Sequence, residues 1–374
     1  MEEFFKLLHS VILTTGVIHL TAGHVVMWLV AFFFLYLAVK KRYEPLLLLP
    51  IGFGIFLTNL PMAPLMGEGE LFWIFHHYGI EWEVIPCIIF LGLGVMTDFG
   101  PMIANPKSLL VGAGAQLGVF ITFLGTILCG FTLKEAASVG IIGGADGPTT
   151  IYLTNALAPH LIGPNALAAY SYMSMVPLIQ PPIVRFLTTG RERSIEMRQL
   201  RHVSRFERIL FPILASILIG LIIPAIMPLL GMFALGNFMR ETGVVRRLSN
   251  TAEHELMNIV TIFLGISVGA TMSAAQFLNP KSLLIFGFGI FDFILCTAGG
   301  VLTVKIMNLF TREKMNPIIG AAGVSAVPMA ARVAHALGRE SNPRNFLLMH
   351  AMAPNVAGVI GTAAAAGFMI AMFK

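Results

Sequence analysis

Seven stretches of this 374-residue chain run without a single Asp, Glu, Lys or Arg: residues 7–39, 46–67, 108–133, 147–184, 209–239, 256–280 and 345–373. A helix needs about 20 mostly apolar residues to cross the hydrocarbon core of a bilayer. Every window meets that length, and 7–39 and 147–184 hold enough for more than one helical piece. Shorter windows at 84–97, 282–291 and 293–304 abut these or join across single charges. Together they predict an all-α polytopic membrane protein of about 10 to 11 spans. Only 11% of the residues are charged and 56% are hydrophobic, against about 25% charged in a soluble domain. A soluble protein of this composition would expose large apolar patches.

The net charge of +5 does not point to nucleic acid. Seven arginines lie between Arg185 and Arg208, with Glu192, Glu196 and Glu207 among them. That pattern reads as a cytoplasmic loop under the positive-inside rule, and the same loop could dock a soluble partner. Lys40, Lys41 and Arg42 read as a second cytoplasmic anchor. Cys87, Cys129 and Cys296 each sit in an apolar window without a CxxC spacing, which suits packing residues. The N-terminus lacks the basic region of a signal peptide, and residues 4–18 could lie flat at the interface as an amphipathic helix.

The chain repeats itself. Asn105-Pro106-Lys107-Ser108-Leu109-Leu110 recurs as Asn279-Pro280-Lys281-Ser282-Leu283-Leu284, and Ile89-Phe90-Leu91-Gly92 recurs as Ile262-Phe263-Leu264-Gly265. The Asn-Pro-Lys-Ser copies could each be a capped helix start, but capping does not account for the duplication. The division expected is an interfacial helix and first span over 1–44, a first repeat over 45–184, an Arg-rich loop over 185–208 and a second repeat over 209–374. Transporters often carry such repeats in opposite membrane orientations. Inversion is the expectation here, although the residues alone do not fix it.

Both repeats contain a break. In the first, Gly143, Gly144, Gly147 and Pro148 interrupt an apolar segment around Asp146, so discontinuous half-helices are expected over 143–149. In the second, residues 316–328 again mix Gly with Pro, and Ser325 falls near the position that Asp146 holds in the first. Unpaired backbone groups are tolerable in hydrocarbon only inside protein or beside a wet cavity. Paired breaks are the best sequence pointer to a transport site. An ionised Asp at mid-membrane costs about 2.5–3.5 kcal/mol, which a bound cation would offset. Carbonyls, hydroxyls and amide oxygens would complete an oxygen-lined site suited to Na⁺. Asp146 could also cap the half-helix that begins at Pro148.

Other polar residues carry less information. Asp98 reads as a loop end. Asp292 fits either a buried pair or a proton or ion site. Tyr172 could donate a hydrogen bond or mark the interface. Arg332 follows Ser325 by seven residues and could share a helical face with it, neutralising Asp146 or binding a carboxylate. His350 and Asn355 flank a local break at Pro354. No phosphate-binding loop, nucleophile elbow or H-E-x-x-H motif is present, so the chain does not read as an ATPase or hydrolase.

Gly143-Gly144-Ala145-Asp146-Gly147-Pro148-Thr149 resembles the signature of the membrane β-subunit of the biotin-dependent sodium-pumping decarboxylases. So do the segments Met96 to Pro101, Gly323 to Arg332 and Pro354 to Gly361. The family acts on oxaloacetate, methylmalonyl-CoA, glutaconyl-CoA or malonate. The resemblance implies a multi-pass subunit of a prokaryotic cytoplasmic membrane. It would decarboxylate carboxybiotin on a partner's carrier domain and couple that step to Na⁺ export and proton consumption. It implies a carboxyltransferase, a biotin carrier and a small γ/δ-type membrane subunit as partners, a homotrimer of this chain, and no nucleic acid. Carried over by motif, Asp146, Tyr172 and Arg332 would be catalytic, with Arg332 also meeting the carboxybiotin. Asp146, Asn316, Ser325 and Asn355 would hold Na⁺, and Gly320 matches a position that stays small. The rival reading is a Na⁺-coupled carboxylate transporter of similar repeat architecture. A bare membrane anchor would leave Asp146 and the polar breaks unexplained.

Overall fold

A computed structural model describes residues 15–374. The interfacial helix expected over residues 4–18 therefore falls almost entirely outside the described residues. Those residues are helical and contain no strand. The α-helices of eight residues or more are α1 (Ala22–Val39), α2 (Pro45–Thr58), α3 (Val84–Met96), α4 (Ser108–Ala115), α5 (Leu117–Leu128), α6 (Leu133–Gly140), α7 (Gly147–Leu157) and α8 (Ile162–Ser174). After them come α9 (Val176–Leu187), α10 (Arg205–Ile222), α11 (Met227–Thr242), α12 (Met257–Ala270), α13 (Pro280–Phe310), α14 (Met329–Ser341) and α15 (Leu348–Phe373).

By length and composition four described helical stretches can each cross a membrane: α1, α4 with α5, α13 and α15. A fifth is the pair Leu71–Glu81 and Val84–Met96, bent by 61°. The larger number expected from the charge-free windows arises because several windows fold as interrupted pieces. Residues 147–184, for instance, carry α7, α8 and most of α9. The outward surface suits lipid. On α10, Ile213, Leu214, Ile217, Leu218 and Leu221 recur at helical spacing and are all exposed, a face that water would not tolerate.

Side-chain contacts define two ends of the molecule. At one end the arginine loop gathers the chain. Lys305, near the end of α13, donates to the Leu187 carbonyl at 2.9 Å, Arg201 donates to the Ile103 carbonyl at 3.2 Å, and Arg185 pairs with Glu340 at 2.7 Å. At the other end, Glu135 receives Lys281 at 2.9 Å and His160 at 3.0 Å. The two Asn-Pro-Lys-Ser copies sit at opposite ends. The first precedes α4 at the arginine end, where Asn105 and Lys107 line a cavity with Arg198 and Arg201. The second starts α13 at the far end, where Asn279 caps the helix by accepting from the Ser282 N–H at 2.9 Å.

Both breaks are hairpins, so the chain turns back where a straight broken span would continue. In the first, α6, a 3₁₀ turn (Ile141–Gly144) and α7 lie side by side. Asn165 of α8 fixes the two arms together, donating to the Ser138 carbonyl at 3.1 Å, the Ser138 hydroxyl at 3.0 Å and the Thr154 hydroxyl at 3.1 Å. In the second, a 3₁₀ arm (Pro317–Gly323) and α14 both return to the arginine loop. Asn316 donates to the Arg193 and Ile195 carbonyls at 2.8 and 2.9 Å, and Ser194 donates to the Ser341 carbonyl at 3.4 Å. The hairpins thus enter from opposite ends. Replacing Asn165 with Leu strips these hydrogen bonds from buried acceptors, at about 1–3 kcal/mol for a group left unsatisfied. The thermal midpoint in detergent should fall; an unchanged midpoint would mean packing alone holds the arms.

Candidate functional site

Asp146 lies at the tip of the first hairpin as the N-cap of α7, with Pro148 in the first turn. Pro lacks an N–H, and the start of a helix is where that loss costs least. The Thr149 N–H donates to Asp146 Oδ1 at 3.1 Å, and the Thr150 hydroxyl donates to the Asp146 carbonyl at 2.8 Å. The chain turns into this position through Ala145, held in the left-handed region at φ 54°. A residue with a Cβ pays about 1–3 kcal/mol for such a conformation, and strain of this kind clusters at functional sites. Behind the tip, the Gly143 N–H donates to Asp292 Oδ2 at 2.7 Å. A Cβ on Gly143 would fall on the Asp292 carboxyl group, so this approach needs glycine.

The tip of the second hairpin meets the first. The Ser325 hydroxyl donates to Asp146 Oδ2 at 2.9 Å, and the Ser325 N–H donates to the Gly144 carbonyl at 2.8 Å. Asn355 of α15 braces the approach to Ser325, donating to the Val324 carbonyl at 2.7 Å and the Ala322 carbonyl at 3.2 Å. Between the tips is a cavity of about 30 Å³ lined by Thr97, Ala145, Asp146, Gly147, Ser325 and Val327, with Leu93, Met173, Phe233 and Val359 as apolar wall. It has room for one water or one small dehydrated cation.

The donor chemistry suits a hard cation. Among the described residues no Lys, Arg or His lies within ion-pair distance of Asp146. Two buried oxygens near the tips lack a hydrogen-bond partner: Asn355 Oδ1 and the Tyr170 hydroxyl. Buried polar atoms are ordinarily paired, and carboxylate, hydroxyl and amide oxygens are the ligands a hard cation uses. Among the described residues no group of three or more His, Cys, Asp or Glu is placed to hold a metal.

The remaining sequence candidates are dispersed. Asn316 is fully buried at the foot of the second hairpin. Its amide donates to the loop carbonyls already named and its Oδ1 accepts from the Ile318 N–H at 3.0 Å, so its side chain is committed away from Asp146. The Tyr172 hydroxyl donates to the Phe286 carbonyl of α13 at 2.5 Å, with no hydrogen bond to Asp146. Arg332 departs from the expectation of a shared face with Ser325. Ser325 precedes α14 in the tip, whereas Arg332 is exposed on α14 and its charge acts on Glu44, at the start of α2. It does not neutralise Asp146 in this arrangement. Gly320 presses its backbone against Gly300 of α13. Asp98 caps its own turn, accepting from the Gly100 N–H at 2.7 Å, as a loop end should.

Sequence reasoning misses several neighbours. Tyr170, two residues before Tyr172, packs its ring on Gly147, where a Cβ would strike it. Gln180 donates to the Ala321 carbonyl at 2.8 Å and steadies the second hairpin. Asn165 and Gln180 are both amides inside the charge-free window 147–184, and that is the signal by which they could be found.

A sequence profile described as the Na⁺-transporting oxaloacetate decarboxylase beta subunit matches residues 23–373. The chain belongs to this family. It is 57% identical over 374 residues to the methylmalonyl-CoA decarboxylase subunit beta of Veillonella parvula, covering 100% of both chains. It is 53% identical to the glutaconyl-CoA decarboxylase subunit beta of Acidaminococcus fermentans, over 100% of this chain and 99% of that one. With the oxaloacetate decarboxylase beta chain of Klebsiella pneumoniae the identity is 49%, over 97% and 98%. As a decarboxylase beta subunit it is an integral, multi-pass membrane component of a sodium-transporting decarboxylase. It works within a complex that has further subunits.

Proposed function

We propose that this subunit decarboxylates carboxybiotin presented by a partner's carrier domain and uses that step to export Na⁺, consuming a proton. The reading is carried by one observation above all. Two hairpins entering from opposite ends touch at Asp146 and Ser325, beside a cavity of one-ion size. Residues 45–184 and 209–374 are read as the two inverted repeats, with the arginine loop facing the cytoplasm. Na⁺ binds the Asp146 carboxylate and the Ser325 hydroxyl, with the side-chain oxygens of Thr149 and Asn355 completing the set. A proton delivered to Asp146 cancels the charge that holds the ion and releases it. Moving one charge against 100 mV costs about 2.3 kcal/mol, which an irreversible decarboxylation can drive. The carboxyltransferase, biotin carrier, small γ/δ-type subunit and homotrimer are part of this proposal. The substrates named for the three relatives differ although all align over nearly their full length, which suits substrate choice on another subunit.

The test is the complete complex in liposomes, supplied with carboxybiotin while CO₂ release and ²²Na⁺ uptake are followed. Coupled appearance of both supports the reading. Transport of a dicarboxylate without CO₂ release would replace it with a symporter. A sharper check is Ser325→Ala, which removes a hydrogen bond to a charged group worth about 1.5–3 kcal/mol. Half-saturating Na⁺ should rise about tenfold or more, with the KM for carboxybiotin little changed. An unaltered Na⁺ dependence would remove Ser325 from the ion site.

A further inference from the structure

At the arginine end, apart from the hairpin tips, lies a cavity of about 490 Å³ whose walls include Lys107, Arg198, Arg201, Arg312, Lys314 and His350. Its volume is that of a small-molecule site. Five cations face two carboxylates, Glu196 and Glu313. Both acids are already engaged, Glu313 by Arg198 at 2.5 Å and Glu196 by the Asn342 amide at 2.8 Å. Arg201 pairs with Glu207 at 2.8 Å, and Lys314 donates to the Asn308 carbonyl. Lys107 and Arg312 remain with no ion pair among the described residues. Two uncompensated cations on the wall of one cavity attract an anion.

The cavity also has an unpaired polar group in its wall. His350 is 7% exposed and its Nδ1 has no hydrogen-bond partner. Four residues later Pro354 lies inside α15, so the His350 carbonyl has no N–H to accept from at the usual helical position. His350 thus adds a polar side chain to the wall that carries the free cations. The same helix carries Asn355, five residues on and about 7.5 Å further along its axis, and Asn355 braces the tip that holds Ser325. One helix thus joins this cavity to the ion site. A second cavity at this end, of about 500 Å³, contrasts with it. There Arg240 and Arg205 are spent on the Met96 and Thr242 carbonyls, and Arg246 shares the wall with Glu241 and Glu253.

We infer that the cavity walled by Lys107, Arg312 and His350 receives the carboxylated end group of the carrier arm. Lys107 and Arg312 bind its carboxylate, and His350 offers a ring nitrogen to its polar ring. The inference rests on the reading of carboxybiotin as substrate and adds where that group docks.

The experiment uses the intact complex and free carboxybiotin, reading CO₂ release against both carboxybiotin and Na⁺ concentration. Lys107→Gln with Arg312→Gln should raise the KM for carboxybiotin at least tenfold while leaving kcat and half-saturating Na⁺ near those of the native protein. His350→Gln should raise the same KM. Arg246→Gln, in the second cavity, should change neither. A native KM in the double variant overturns the docking site. An anionic-lipid requirement that the double variant loses would make the cavity a lipid site and overturn it as well. If the native complex releases no CO₂ from carboxybiotin, the substrate reading falls, and this inference with it.

Discussion

Asp146→Asn is expected to abolish Na⁺-dependent CO₂ release and Na⁺ uptake together. The carboxylate now accepts from the Thr149 N–H on one oxygen and from the Ser325 hydroxyl on the other. An amide keeps one acceptor and turns an NH₂ toward the second donor, so part of the tip-to-tip contact is lost. The larger effect is electrostatic. A unit charge about 4 Å from a cation is worth about 4 kcal/mol at an effective dielectric of about 20. That is about three powers of ten in affinity. Half-saturating Na⁺ should therefore leave the accessible range, while the complex still assembles and the arginine-end cavity is untouched. Steady-state CO₂ release titrated with Na⁺ is the measurement. Turnover with native Na⁺ dependence would take Asp146 out of the ion path.

Gly320→Val should be nearly as damaging, for a steric reason. A Cβ on Gly320 would strike the carbonyl of Gly300, and a Cβ on Gly300 would strike that of Gly320. The obstacle is backbone on both sides, so no side chain can swing away. Overpacking that side chains can absorb costs about 1–3 kcal/mol, and this position should lie at or beyond the upper end. The 3₁₀ arm would be pushed off α13, carrying the Ser325 tip away from Asp146. Gly320→Ala should give a smaller loss of the same kind. Gly287→Ala, on α13 where an added Cβ meets nothing within 4 Å, is the control. Thermal midpoint and Na⁺ uptake should fall together in the Val variant. A native midpoint with native uptake would show that the arm and α13 are not held in register at this contact.

Asp146 and Ser325 can be read from the sequence because their setting violates what an apolar span permits. Gly and Pro leave backbone groups unpaired, and one of the breaks holds a charge that hydrocarbon penalises. That the breaks are hairpins is a different kind of fact. It depends on Asn165 holding Ser138 and Thr154 side by side, and on the arginine loop gripping both Asn316 and Ser341, contacts between residues far apart in the chain. No local pattern contains them. The same limit applies to Arg332. Seven residues make two turns only if the intervening chain is helical, and α14 begins four residues after Ser325. The tyrosines show it at closest range: Tyr170 and Tyr172 share one helix, but its rotation turns one toward Gly147 and the other toward Phe286.

The meeting of the two hairpin tips has an electrical consequence. An arm such as α7, with 11 residues, reaches about 16 Å, about half of a hydrocarbon core about 30 Å thick. An ion held between the tips has then traversed about half of the transmembrane voltage drop. Of the cost of about 2.3 kcal/mol per charge at 100 mV, each side of the site accounts for about half. Capture and discharge should therefore respond to voltage about equally, and the apparent affinity for Na⁺ should itself shift with membrane potential.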